Sequence, residues 1–112
     1  MSHKISLKTK MQFPSTINYL LKLLDGRICL CYGNTISILN KNTFKPEITK
    51  SECHKKDKDI ISLSQLEDGK LISCAKEPNI NIYNIKSNIL SIHQTINIFS
   101  NLPCGYRDKK KF

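Results

Sequence analysis

The side chains best suited to chemistry in this 112-residue chain are its five cysteines and three histidines. Cys29 and Cys31 flank a single residue, Cys53 adjoins His54, and Cys74, His93 and Cys104 stand apart. Thiolates and imidazoles are zinc ligands, and a thiol beside an imidazole is a pair that nucleophilic catalysis uses. The spacing supports neither. Structural zinc draws on cysteines spaced C-x₂₋₄-C, and no such pair occurs. Cys53 and His54 are consecutive, so on a strand they would point to opposite faces. The odd cysteine count and irregular spacing also argue against a disulfide framework. Free cysteines acting as small buried hydrophobes are the expected reading, with no metal site.

The carboxylates add no catalytic pair. Asp57, Asp59, Glu67 and Asp68 fall in turn-like sequence, and Asp68 is accounted for by a hairpin. No Gly-x-Ser-x-Gly elbow, phosphate-cradling Gly-rich loop or His-Glu-x-x-His motif is present. The chain reads as a non-enzyme without a cofactor.

The net charge of +9 invites a nucleic-acid reading. The excess lies in residues 1–16, 41–58 and 107–111, with acids mixed into the middle segment. Only two arginines are present for bidentate contacts, and no Lys/Arg run is interleaved with aromatics. Specific nucleic-acid binding is therefore not expected. A basic module that meets nucleic acid or acidic membrane surfaces through its Lys-rich loops stands as the alternative. No apolar run approaches the roughly 20 residues needed to span a bilayer, and no apolar block follows the basic start Met1–Lys10. The expected compartment is cytoplasm or nucleus.

These residues must be positioned by strands. Sixteen isoleucines supply a core, and apolar positions alternate in runs such as Ile36-Ser37-Ile38 and Ile80-Asn81-Ile82-Tyr83. Asp25-Gly26 and Asp68-Gly69 sit between apolar runs, as type I′ hairpin turns require. First strands are expected near residues 17–23 and 60–66, second near 27–32 and 70–75, third near 35–40 and 79–85, and fourth near 44–50 and 89–93.

The two Asp-Gly turns lie 43 residues apart, and aligning them exposes a repeat. Ile17, Leu20, Leu23 and Ile28 fall on Ile60, Leu63, Leu66 and Leu71, and Cys31 falls on Cys74. With one added residue, Ile36, Ile38, Leu39 and Asn40 fall on Ile80, Ile82, Tyr83 and Asn84. Ile96, Phe99, Leu102 and Gly105 keep the offsets of a third copy. Four antiparallel strands per roughly 40–45 residues is the unit of a β-propeller blade. The expected fold is all-β, with four-stranded antiparallel blades forming an incomplete, open propeller.

The repeats resemble divergent WD repeats over about residues 17–105. Ile72-Ser73-Cys74-Ala75 resembles that family's small-residue second strand, and Leu39-Asn40 and Tyr83-Asn84 stand where its Trp-Asp would be. His54 and His93 precede the first strands of the second and third copies, near the place of the family's Gly-His. The chain has no Trp and no Gly-His, and His54 lies about two residues further from its strand than that pattern has it. The resemblance implies a non-catalytic protein-interaction scaffold.

The expected layout is a basic N-terminal segment or last strand of a preceding blade at 1–16, then blades at 17–50 and 51–93. Residues 94–112 would begin a third blade and carry a basic tail. The expected structural turn residues are Asp25, Gly26, Asp68 and Gly69. The expected repeat core is Leu20, Leu63, Phe99, Cys31, Cys74, Ile38 and Ile82. Two blades leave broad apolar faces uncovered, because each unit cannot bury its own face. The expected outcomes are docking on a protein partner, self-association to complete a propeller, or a truncated fragment without independent function. The uncovered residues should include some of Leu20, Ile28, Ile38, Leu63, Leu71 and Ile82.

Overall fold

The computed structural model describes residues 12–86 and 88–97. Eight strands run through them: β1 (Tyr19–Lys22), β2 (Ile28–Tyr32), β3 (Thr35–Leu39), β4 (Pro46–Lys50), β5 (Ile60–Gln65), β6 (Leu71–Ala75), β7 (Asn79–Lys86) and β8 (Ile89–Asn97). They form two antiparallel four-stranded meanders, β1-β2-β3-β4 and β5-β6-β7-β8. The described residues contain no helix. Of the third copy, Phe99, Leu102 and Gly105 lie outside the described residues, and Ile96 pairs with Ile80 on β8.

The two sheets share one register. Leu20 pairs with Leu30 and Lys22 with Ile28, as Leu63 pairs with Ser73 and Gln65 with Leu71. Ile28 pairs with Leu39 and Cys31 with Ile36, as Leu71 pairs with Tyr83 and Cys74 with Ile80. Such agreement follows from the period of two, since slipping one residue would turn every side chain to the wrong face. The added residue of the alignment is a loop residue. Gly33-Asn34 joins β2 to β3, whereas Lys76-Glu77-Pro78 joins β6 to β7.

The Asp-Gly turns are not type I′. That type needs positive φ at both central residues, but Asp25 and Asp68 have negative φ, with Gly26 at 96° and Gly69 at 99°. Gly26 N–H donates to Leu23 C=O at 2.9 Å and Leu23 N–H to Arg27 C=O at 2.8 Å; the pattern repeats at Leu66, Gly69 and Lys70. A turn over Leu24-Asp25, or Glu67-Asp68, is thus closed by a left-handed glycine, the longer hairpin loop of the bulged kind. Each aspartate accepts the amide two residues on, Arg27 N at 3.0 Å and Lys70 N at 3.1 Å. That local acceptance is the physical reason for Asp before Gly.

The sheets stack with β5 against β1 and β2, and β8 against β4. Leu23, Cys29, Cys31, Ile36, Ile38 and Ile48 from the first sheet share one buried cluster with Ile60, Leu63, Leu71, Tyr83 and Leu90 from the second. The equivalents of these residues are not all covered. Leu20 is exposed, and Ile28 and Ile82 are half-buried, whereas Ile38, Leu63 and Leu71 are buried because they meet across the stack.

Candidate functional site

The loop from Ser51 to Asp59 crosses from one sheet to the other and carries Cys53 and His54 into the interior. It is pinned from the first sheet, where Asn34 C=O accepts Cys53 N–H at 2.9 Å and Gly33 C=O accepts Ile60 N–H at 2.8 Å. Asn34 Nδ2 also donates to His54 C=O at 3.3 Å.

From that loop the His54 ring enters the second sheet with none of its side chain exposed. Its Nδ1 lies 2.6 Å from Glu77 Oε2 and its Nε2 lies 2.8 Å from Ser73 Oγ. Ser73 Oγ lies 2.8 Å from the Tyr83 hydroxyl, which accepts from Asn81 Nδ2 at 3.3 Å. Asn81 Nδ2 also donates to Cys53 C=O, and Asn81 Oδ1 accepts from Thr95 at 2.8 Å. The carboxylate of Glu77 can only accept, so His54 Nδ1–H donates to it. Ser73 Oγ links His54 Nε2 to the Tyr83 hydroxyl. Burial first, and the nearby Cys53 second, push the Tyr83 phenol above its usual range, so it remains an O–H donor. One buried acceptor stays unmatched among the described residues, Glu77 Oε1.

Serine, histidine and carboxylate at these distances have the outline of an acyl-transfer triad. Access decides against that use. Ser73 is fully buried, its Oγ already contacts Tyr83, and no substrate atom can reach it. The network instead joins the crossing loop, β6, the β6–β7 loop, β7 and β8. It is a clamp.

Sequence reasoning placed His54 near a strand start and Tyr83 at a strand end, but did not single out Glu77. The extra residue between Cys74 and Ile80 was the available signal, because it lengthens the loop that carries Glu77. His93 lies exposed on β8 with Asn84 Nδ2 at 3.5 Å, far from the part His54 plays. Cys29, Cys31 and Cys53 are buried free thiols at the stack. Burial, then the neighbouring Cys31 and Cys53, pushes Cys29 up to about 12. Burial likewise raises Cys31 to about 11. Among the described residues no cluster of His, Cys, Asp and Glu is arranged to hold a metal ion. Cys104 lies outside them.

The expected turn residues occupy the two loops just described. Of the expected repeat core, Cys31, Ile38 and Leu63 are buried, Cys74 and Ile82 half-buried and Leu20 exposed, while Phe99 lies outside the described residues. Asp25 and Asp68 are both held below the usual carboxylate value. At Asp25, burial opposes the Arg27 amide and guanidinium that achieve this; at Asp68, the Lys70 ammonium leads and its amide adds. An open cleft at the crossing loop is lined by Asn34, Glu52, His54 and Lys56. Since its ring is fully enclosed, His54 offers that cleft only backbone.

No family model and no curated protein matches the chain. A solved structure does: the β-propeller domain of Cps50 (Swd1) from Myceliophteria thermophila, with a TM-score of 0.62 at 12% identity. The match covers 77% of this chain and 30% of that one. The sheets are propeller blades. Two of them stack here as an open, incomplete propeller. No helix among the described residues is long and apolar enough to cross a membrane.

Proposed function

We propose that the chain is a non-catalytic protein-interaction scaffold built from WD-like blades, with repeat units at 17–50 and 51–93 and a third beginning within 94–112. The observation that carries this reading is the inward use of its reactive groups. His54, Ser73 and Glu77 are all spent on holding one blade and its entry loop together. The resemblance to WD repeats supports the same assignment, because the buried histidine enters ahead of the first strand and Tyr83 stands where that family has Trp. The surface left for recognition is then the loop end of the blades. There Glu52 and Lys56 line the cleft beside Asn34, on a loop whose residues Lys55–Asp59 are exposed. Rigid strands presenting variable loops are a common binding design.

The test is native affinity capture with the intact chain, followed by reconstitution with each purified captured protein. Replacing Lys55, Lys56 and Lys58 by Ala should abolish stoichiometric binding while leaving the circular dichroism spectrum unchanged. Retained binding in that variant, or capture only of nucleic acid, would contradict the reading.

A further inference from the structure

We infer that Phe13 and Phe44 are a built-in cap on the outer face of the first blade, standing where a neighbouring blade would stand. This rests on the blade architecture and not on the scaffold reading. The second blade shows the equivalent face when a blade covers it: Leu63, Leu71 and Tyr83 lie in the cluster shared with the first blade. Their register counterparts on the first blade are Leu20, Ile28 and Leu39, with Leu30 where the second blade has Ser73. No sheet among the described residues packs on that face, and Leu20 is exposed there. Yet Leu30 is 2% and Leu39 5% exposed, although neither belongs to the cluster between the blades. Both line an apolar groove with Phe13 and Phe44, whose side chains are half-buried.

Phe44 reaches that groove against its backbone preference. It ends the loop Lys41–Phe44, closed by Asn40 N–H donating to Lys45 C=O and Phe44 N–H to Asn40 C=O, both at 2.8 Å. Its φ is 62°, in the left-handed region where a bulky L-residue is an outlier and Gly or Asn is tolerated. Such a conformation persists only where the surroundings compensate it, and the compensation here is the ring's place in the groove. Phe13 is fixed separately, with its ring centroid 5.6 Å from that of Tyr32. The second blade has neither ring. Forty-three residues after Phe13 stands Lys56, which is exposed. Lys86 pairs with Ile89 across the next hairpin, which leaves no counterpart of the loop that carries Phe44. The face that meets a blade thus lacks both aromatics, and the face that meets none carries both. A further blade packing there would have to displace them.

The experiment is urea unfolding of the 112-residue chain and of two variants, Phe44→Asn and Phe44→Leu. Backbone strain and a cap order these variants oppositely. Asn relieves the left-handed conformation and loses the apolar cover, whereas Leu keeps the strain and most of the cover. The cap predicts a midpoint for Leu close to that of the wild type and a clearly lower one for Asn. The double variant Phe13→Ser, Phe44→Asn should also bind a hydrophobic dye more strongly than the wild type, because Leu30 and Leu39 are then uncovered. Should the variants fail to fold, nuclear Overhauser contacts in the unaltered chain decide. Contacts from the Phe44 ring to the Leu30 or Leu39 methyls are expected. An Asn variant as stable as the wild type or more so, or a Phe44 ring without contact to either leucine, would overturn the inference.

Discussion

Leu20 and Leu63 occupy the same register position, each paired with the third residue of the following strand, yet Leu63 is 3% exposed and Leu20 58%. Leu63 lies in the cluster shared by the two stacked sheets, whereas Leu20 does not. Leu63→Ala should therefore cost about 2–5 kcal/mol of stability, as cavity-forming core truncations do. Leu20→Ala should cost no more than about 0.5 kcal/mol, the usual range for exposed sites. Urea unfolding reads both.

The clamp around His54 makes a second prediction. Truncating His54 to Ala strips Glu77 of its partner while leaving its carboxylate almost wholly enclosed. Breaking a buried pair in this way typically costs about 3–5 kcal/mol. Glu77→Gln keeps an acceptor for His54 Nδ1–H and should cost clearly less, so the order His54→Ala, then Glu77→Gln, in denaturant midpoint is the measured quantity. Equal losses would mean that volume matters here and charge does not.

Much of this arrangement was readable in the sequence, and the limits have physical causes. Period-two runs and two Asp-Gly landmarks set the strands and their register, because alternation and burial of one face leave no freedom to slip. The turn geometry was misread because Asp-Gly suits a two-residue loop, whereas the turn is formed one residue earlier and uses its glycine as the closing residue. The fourth strand of the second blade runs to Asn97, four residues past its expected end, since its alternating Thr95 and Asn97 still meet partners on β7. The clamp was harder. Its members come from a loop, two strands and a hairpin, and only three-dimensional closure brings Glu77 to His54.

Thiol chemistry follows from the same burial. Cys29 and Cys31 bind their protons more tightly in the folded chain, up to about 12 and about 11, than in the unfolded one near 9.0. The folded state therefore holds extra protons above the unfolded value, and stability should be full below pH 9 and fall as pH rises toward the folded values. Iodoacetamide at pH 8 should modify Cys74 well before Cys29, Cys31 or Cys53. Mass spectrometry of the alkylated peptides checks the order.

Gly26 and Gly69 should respond alike to substitution by Ala. Both have φ near the left-handed region, and a Cβ at Gly26 would meet only the flexible end of Lys41 at 3.3 Å while Gly69 faces open space. Each Ala should cost about 1–2 kcal/mol, the left-handed penalty of an L-residue, and Asn less. Thermal unfolding of the four variants is the readout.

The central claim is that the two blades stack, β5 against β1 and β2, with His54 carried between them. Methyl and amide NMR of the chain tests it most directly. The account predicts nuclear Overhauser contacts from Ile36 and Ile38 to Leu63 and Leu71, together with slow exchange of the Ile60 amide that Gly33 accepts. Contacts confined to each sheet, with the Ile60 amide exchanging at the rate of free solvent, would contradict it.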